Sequence, residues 1–136
     1  MLYSQTALPV RYAETDQMGV VHHSNYPIYF EAGRTDFFQE HLVPYREMEK
    51  LGLFAPVLSY QVAISGRATY GHTLVVETRP DWLKGVRLTM SYRITRDGVE
   101  VATGSTLHAL VGADMKSVHP RSFGELYPML LRVFAE

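Results

Sequence analysis

The feature that most constrains this chain is a wide aromatic face on one stretch of helical periodicity. Tyr26, Tyr29, Phe30, Gly33, Phe37 and Phe38 recur at the spacing of a helix. Ser24 and Asn25 ahead of them are both good N-cap residues. Pro27 falls in the first turn, where a missing N–H costs nothing. The spacing therefore predicts a helix that starts at Ser24 or Asn25 and ends near His41-Leu42, before Pro44. Residues 45–52 add a further turn or two, with Gly52 as the stop. A helix with so broad an apolar face has to be covered.

The rest of the chain supplies the cover. Residues 7–13, ahead of the helix, alternate as a short strand would. Residues 57–64, 74–78, 86–95 and 99–111 are β-branched and roughly alternating. Short breakers separate them: Tyr70-Gly71-His72, Leu83-Lys84-Gly85 and Arg96-Asp97-Gly98. Asp97-Gly98 is a strong hairpin signal, and three consecutive hairpin-length connections imply an antiparallel meander. Residues 122–134 read as a terminal helix that Pro128 weakens or kinks. The expectation is a single α+β domain over residues 1–136. About five antiparallel strands wrap one long central helix, with a probable C-terminal helix. Such a sheet leaves edges open, and pairing across a dimer would protect them.

Composition excludes several function classes. With 13 Lys+Arg against 14 Asp+Glu, the net charge of −1 argues against a nucleic-acid binder that relies on bulk charge. The absence of cysteine removes disulfides, thiolate metal sites and cysteine nucleophiles. No apolar run approaches the ~20 residues of a membrane-spanning helix. The first five residues lack the basic and apolar regions of a signal peptide, so a cytoplasmic location is expected.

Chemistry concentrates in residues 14–38, ETDQMGVVHHSNYPIYFEAGRTDFF. Adjacent His22 and His23 would point opposite ways in extended chain and make a poor metal site. His41, His72, His108 and His119 are scattered, so neither metal nor cofactor is expected. The position of His23, just ahead of a helix start, matters more than its ring. Free backbone N–H groups and the helix dipole make that spot suited to an oxyanion. Asp16 precedes it by a short loop. On this reading Asp16 is either a turn residue or a carboxylate facing the helix end, which is the minimum kit for acyl transfer.

The series Thr15-Asp16-x-x-Gly19-Val20-Val21-x-His23-x-x-Tyr26-x-x-x-Phe30-Glu31-x-x-Arg34 resembles the signature of hotdog-fold acyl-CoA thioesterases of the 4-hydroxybenzoyl-CoA thioesterase type. The strand pattern, Gly104-Ser105-Thr106 and the Pro120 segment fit as well, so the likeness spans nearly the whole chain. It implies hydrolysis of an acyl-CoA, with no cofactor, at an interface in a homodimer or a dimer-of-dimers tetramer. It also implies Asp16 as catalytic carboxylate and the His23 backbone N–H as the group polarising the thioester carbonyl. Gly19 would permit a tight loop, and Tyr26 would line the acyl pocket or fix the helix start. Glu31 and Arg34 would pair on the helix flank, with Glu31 in reach of the pocket. Lys84 and Arg87 would meet the coenzyme A phosphates, although Val86-Arg87 stands where serines are common. His72 and Arg67 also depart from the pattern, where Asp and Pro are usual. Two other readings remain open from the sequence: a hotdog hydratase presenting Asp16 and His23 to water, and a non-catalytic acyl-CoA-binding module.

Overall fold

A computed structural model describes residues 2–135, so the reading of the first five residues begins at Met1, outside it. Five strands form one antiparallel sheet: β1 (Ser4–Pro9), β2 (Val57–Ile64), β3 (Thr73–Lys84), β4 (Arg87–Arg96) and β5 (Val99–Ala109). Three α-helices accompany them: α1 (Tyr26–His41), α2 (Tyr45–Lys50) and α3 (Leu126–Val133). The expected α+β arrangement of a sheet around one long helix is what forms.

The strand order is β1-β3-β4-β5-β2. Only β3, β4 and β5 form a meander. Its second turn is Asp97-Gly98, with φ of 50° and 79°, the left-handed pair that a tight hairpin requires. The third expected hairpin, between β2 and β3, does not exist. Instead, residues 65–72 cross the end of the sheet. The amides of Ser65 and Gly66 donate to the Val101 carbonyl, and the Ala68 carbonyl accepts from the Val21 amide. These bonds hold β2 at the far edge, against β5.

Two further boundaries differ from expectation. The first strand stops at Pro9 rather than residue 13: the Val10 amide still donates to the His72 carbonyl at 2.9 Å, and from Arg11 the chain turns away. Past it, the Glu14 carboxylate accepts from both the backbone and the guanidinium of Arg11, closing a 3-10 turn over Tyr12–Glu14. At the other end, a 3-10 turn over Pro120–Phe123 precedes Gly124 at φ 58°, which separates it from α3. Pro128 falls in the first turn of α3, where it breaks no hydrogen bond, so no kink results.

The aromatic face of α1 packs into the core. Tyr26, Tyr29, Phe30, Phe37 and Phe38 are all buried, each such side chain worth roughly 1.5–3 kcal/mol. Two glycines set how closely helix and sheet approach. A Cβ on Gly33 would overlap Thr78 Oγ1 and the Val76 side chain of β3. A Cβ on Gly104 would overlap the Phe30 ring and the Gln61 carbonyl. With no side chain at 104, Phe30 stacks on Tyr92 at 4.3 Å with 8° between planes.

The β2 edge is uncovered. Val57, Leu58, Tyr60 and Ile64 are exposed along it, and Tyr60 is 56% exposed.

Candidate active site

The site begins with a loop that closes on itself ahead of α1. Thr15 bridges Val21 and Val20 bridges Thr69, tying the loop to the chain entering β3. Within it the Asp16 amide donates to the Val20 carbonyl at 2.8 Å, and the Gly19 amide to the Asp16 carbonyl at 2.9 Å. Gly19 adopts φ 82°, a conformation that L side chains rarely take. Asp16 Oδ1 accepts from the amides of Met18, at 2.9 Å, and Val20, at 3.4 Å. Neither bond uses Oδ2. The half-buried Asp16 is thus both the turn residue and a carboxylate with one oxygen outside the turn.

From Val21 the chain runs into a 3-10 turn, His23–Asn25, that leads directly into α1. His22, rather than Ser24 or Asn25, is the capping side chain: its Nδ1 accepts from the Ser24 amide at 3.2 Å. The Asn25 amide donates to the His22 carbonyl at 3.0 Å. His23, the first residue of the turn, has no partner for its N–H within it. It stands three residues ahead of Tyr26, where α1 begins. The two imidazoles do not diverge. Extended His22 followed by turned His23 brings the rings into a stack, with centroids 4.2 Å apart.

Three residues fix this turn in ways sequence reasoning did not give them: Asn25, expected as a forward cap, Tyr29, expected only on the aromatic face, and Glu14, given no role. Asn25 Nδ2 donates to the carbonyls of Glu14, at 2.9 Å, and His22, at 3.2 Å. The His22 amide donates to the same Glu14 carbonyl. The Tyr29 hydroxyl donates to the buried Glu14 carboxylate at 2.9 Å. Burial pushes that carboxyl's pKa up, but hydrogen bonds from Arg11 and Tyr29 outweigh it and hold it below the usual value. Burial, with the Glu14 bond, raises the Tyr29 hydroxyl. The sequence signal was available: a polar residue placed where the chain must change direction just before a helix.

The remaining expected residues scatter. Tyr26 is 1% exposed and packs edge-on to Tyr29 at the start of α1. Glu31 is exposed on α1. The expected Glu31–Arg34 pair is absent, because Arg34 turns inward to 7% exposure and bonds the hydroxyls of Tyr45 and Tyr92. Its place four residues after Phe30, inside the aromatic stripe, was the clue. Lys84 and Arg87 face each other at the base of the β3–β4 turn, both exposed, with Lys84 Nζ 5.2 Å from the Trp82 ring centroid. Arg93 pairs with Glu100 at 3.1 Å. Arg96 contacts His72 at 3.4 Å, and His72 in turn accepts from the Thr69 amide that flanks the Asp16 loop.

Residues 10–125 match the model of the thioesterase-like superfamily. A Bacillus subtilis (strain 168) protein, YneP, provisionally named an acyl-CoA thioesterase, is 34% identical over 94% of this chain and 92% of its own length. The structure of the DHNA-CoA thioesterase from Staphylococcus aureus superposes with a TM-score of 0.93 at 33% identity, covering 99% of this chain and 93% of that one. A hypothetical protein from Thermus thermophilus superposes with a TM-score of 0.88 at 38% identity, over 97% of this chain and 98% of that one.

Proposed function

The chain belongs to the thioesterase-like superfamily and has the hotdog fold, and from that premise we propose that it hydrolyses an acyl-CoA thioester to the free acid and coenzyme A. The observation that carries the mechanism is the pairing of two features at one helix start. A carboxylate is held on a closed loop, and a main-chain N–H leads the turn into α1.

The thioester carbonyl oxygen is taken to lie against the His23 N–H, where the helix dipole favours negative charge. Asp16 then either removes a proton from a water that attacks the carbonyl carbon or attacks that carbon itself. In the first route the tetrahedral oxyanion collapses, the carbon–sulfur bond breaks, and the thiolate takes up the proton that Asp16 removed. In the second, an acyl–Asp16 anhydride forms as the thiolate leaves, and water cleaves it. Both routes use only groups of the protein itself, together with water.

Gly19 serves the reading by letting Asp16 return toward the helix. Tyr26 serves by anchoring the helix start, and Glu31 by flanking the acyl side. Lys84 and Arg87 together offer positive charge to the coenzyme A phosphates. The uncovered β2 edge supports a homodimer, with a dimer-of-dimers tetramer as the larger form. Coenzyme A thioesters are made inside the cell, which supports a cytoplasmic site of action. None of the three relatives described above is named as a hydratase or a binding module. The test is release of free thiol from a panel of short, medium, long and aromatic acyl-CoAs. Absence of thiol release across the panel overturns the reading.

A further inference from the structure

A cavity of about 360 Å³ lies beside α1, with Arg34 and Tyr45 on its polar side and Phe54, Pro56 and Met115 on its apolar side. Arg34 begins a chain of hydrogen bonds with a single direction. His108 Nδ1 lies 2.9 Å from the Ala55 carbonyl and must donate to it, so Nε2 accepts. Thr106 Oγ1, 2.8 Å from Nε2, therefore donates there and accepts from the Tyr92 hydroxyl at 2.6 Å. The Tyr92 oxygen in turn accepts from Arg34 Nη1 at 3.1 Å. Every proton on this branch is placed. Neither of its side-chain partners is an anion; the residue as a whole is 7% exposed, and the carboxylates nearby are Glu31 and Glu49, which line the same cavity.

The donors left over belong to the cavity. Arg34 Nη2 has no acceptor among the described residues, yet is not one of the fully enclosed, unpartnered atoms. The Tyr45 hydroxyl accepts from Arg34 Nε at 2.9 Å, and no described residue accepts its proton. Two unspent donors beside apolar walls call for an oxygen acceptor on an otherwise apolar ligand. Their place on the helix supplies the ligand. His23, Pro27, Glu31 and Arg34 succeed one another along one stripe of the turn and α1. Eleven residues at 1.5 Å per residue put Arg34 roughly 16 Å from His23, less the lean of a helical side chain toward the N-terminus.

Building on the thioesterase reading, we propose that this cavity receives the far end of the acyl group, and that the substrate class is an acyl chain bearing a hydrogen-bond-accepting oxygen, hydroxyl or carboxylate, at that end. Glu31 and Glu49 at the cavity's rim favour the uncharged hydroxyl.

The test compares octanoyl-CoA with its 8-hydroxy and 8-carboxy equivalents of the same chain length. The hydroxyl ester should exceed octanoyl-CoA in kcat/KM by about tenfold or more, the usual worth of a bond to a charged donor. Tyr45→Phe and Arg34→Lys should bring that ratio toward one. If Arg34→Lys does not fold, Tyr45→Phe decides. A preference for the carboxylate over the hydroxyl keeps the site and reverses the rim argument. Equal kcat/KM for oxygenated and methyl ends, or a ratio untouched by the folded variants, overturns the proposal. If no thioester is cleaved, the thioesterase reading itself fails. Calorimetry with 8-hydroxyoctanoate and octanoate then judges the cavity: tighter hydroxy-acid binding lost in Tyr45→Phe upholds it, and equal binding ends it.

Discussion

The Asn25 side-chain amide spans eleven residues to donate to the Glu14 carbonyl at 2.9 Å, and in doing so fixes the turn that presents the His23 N–H. Asn25→Ala removes that bond and the one to the His22 carbonyl. It should destabilise the fold by about 1–3 kcal/mol in chemical denaturation. It should also lower kcat more than it raises KM, since an oxyanion donor acts mainly in the transition state.

Replacing Asp16 by Asn preserves an oxygen for the Met18 and Val20 amides, so the loop and the unfolding midpoint should persist. Turnover in thiol-release assays should fall by roughly 10²–10⁴. His23→Ala should change it far less, because the proposed donor is main chain. A single turnover in heavy-oxygen water, with mass spectrometry of the peptide holding residue 16, reports direct attack if that carboxyl gains label.

Gly104→Ala should weaken the fold by about 1–3 kcal/mol in urea unfolding. The new methyl meets the Phe30 ring and the Gln61 carbonyl, and the carbonyl belongs to backbone that cannot rotate away. Gly33→Ala should behave similarly against Thr78 and Val76.

Acid should expose His108. Burial, opposed by its bond to the Ala55 carbonyl, lowers its pKa from 6.5 to about 4. The unfolded chain therefore binds the proton first. The stabilisation is complete above pH 6.5 and is lost as pH falls toward 4, a loss of roughly 3 kcal/mol. His108→Gln, which has no proton to gain, should flatten the acid limb of a stability-against-pH curve even where it lowers the plateau.

Charges on the open edge should disperse the assembly. Light scattering should show the parent protein as a dimer or larger. Leu58→Lys with Tyr60→Lys should shift it toward monomer and reduce thiol release with it. A parent protein that is monomeric and fully active would remove the shared interface.

The helix and the meander were legible because each rests on local pattern. The aromatic spacing fixed α1 closely, and Asp97-Gly98 located its hairpin. What the pattern could not carry was long-range pairing. Residues 57–64 looked like the start of the meander, yet β2 lies at the far edge, set by amide bonds from Ser65 and Gly66 to Val101 that no local rule encodes. The same limit explains the site. Asp16, Gly19 and His23 stand out through the likeness of their motif to a known family; the residues by themselves leave Asp16 open as an ordinary turn residue. Arg34 was taken as a surface partner for Glu31, because charge at a three-residue interval suggests pairing, whereas its buried environment comes from Tyr45 on one element and Tyr92 on another. Asn25 looked like a forward cap, and only the folded loop shows it reaching backward.

The position of β2 also governs the order in which the protein takes shape on the ribosome. Ile64 is made well before β5, the strand it must lie beside, and residues 65–109 still have to be synthesised. At ordinary translation speeds of 5–20 residues per second, β2 waits roughly 2–9 s with the backbone groups that later join β5 unpaired. Codon choice across residues 65–109 therefore sets how long a sticky, unpartnered segment is available to other nascent chains.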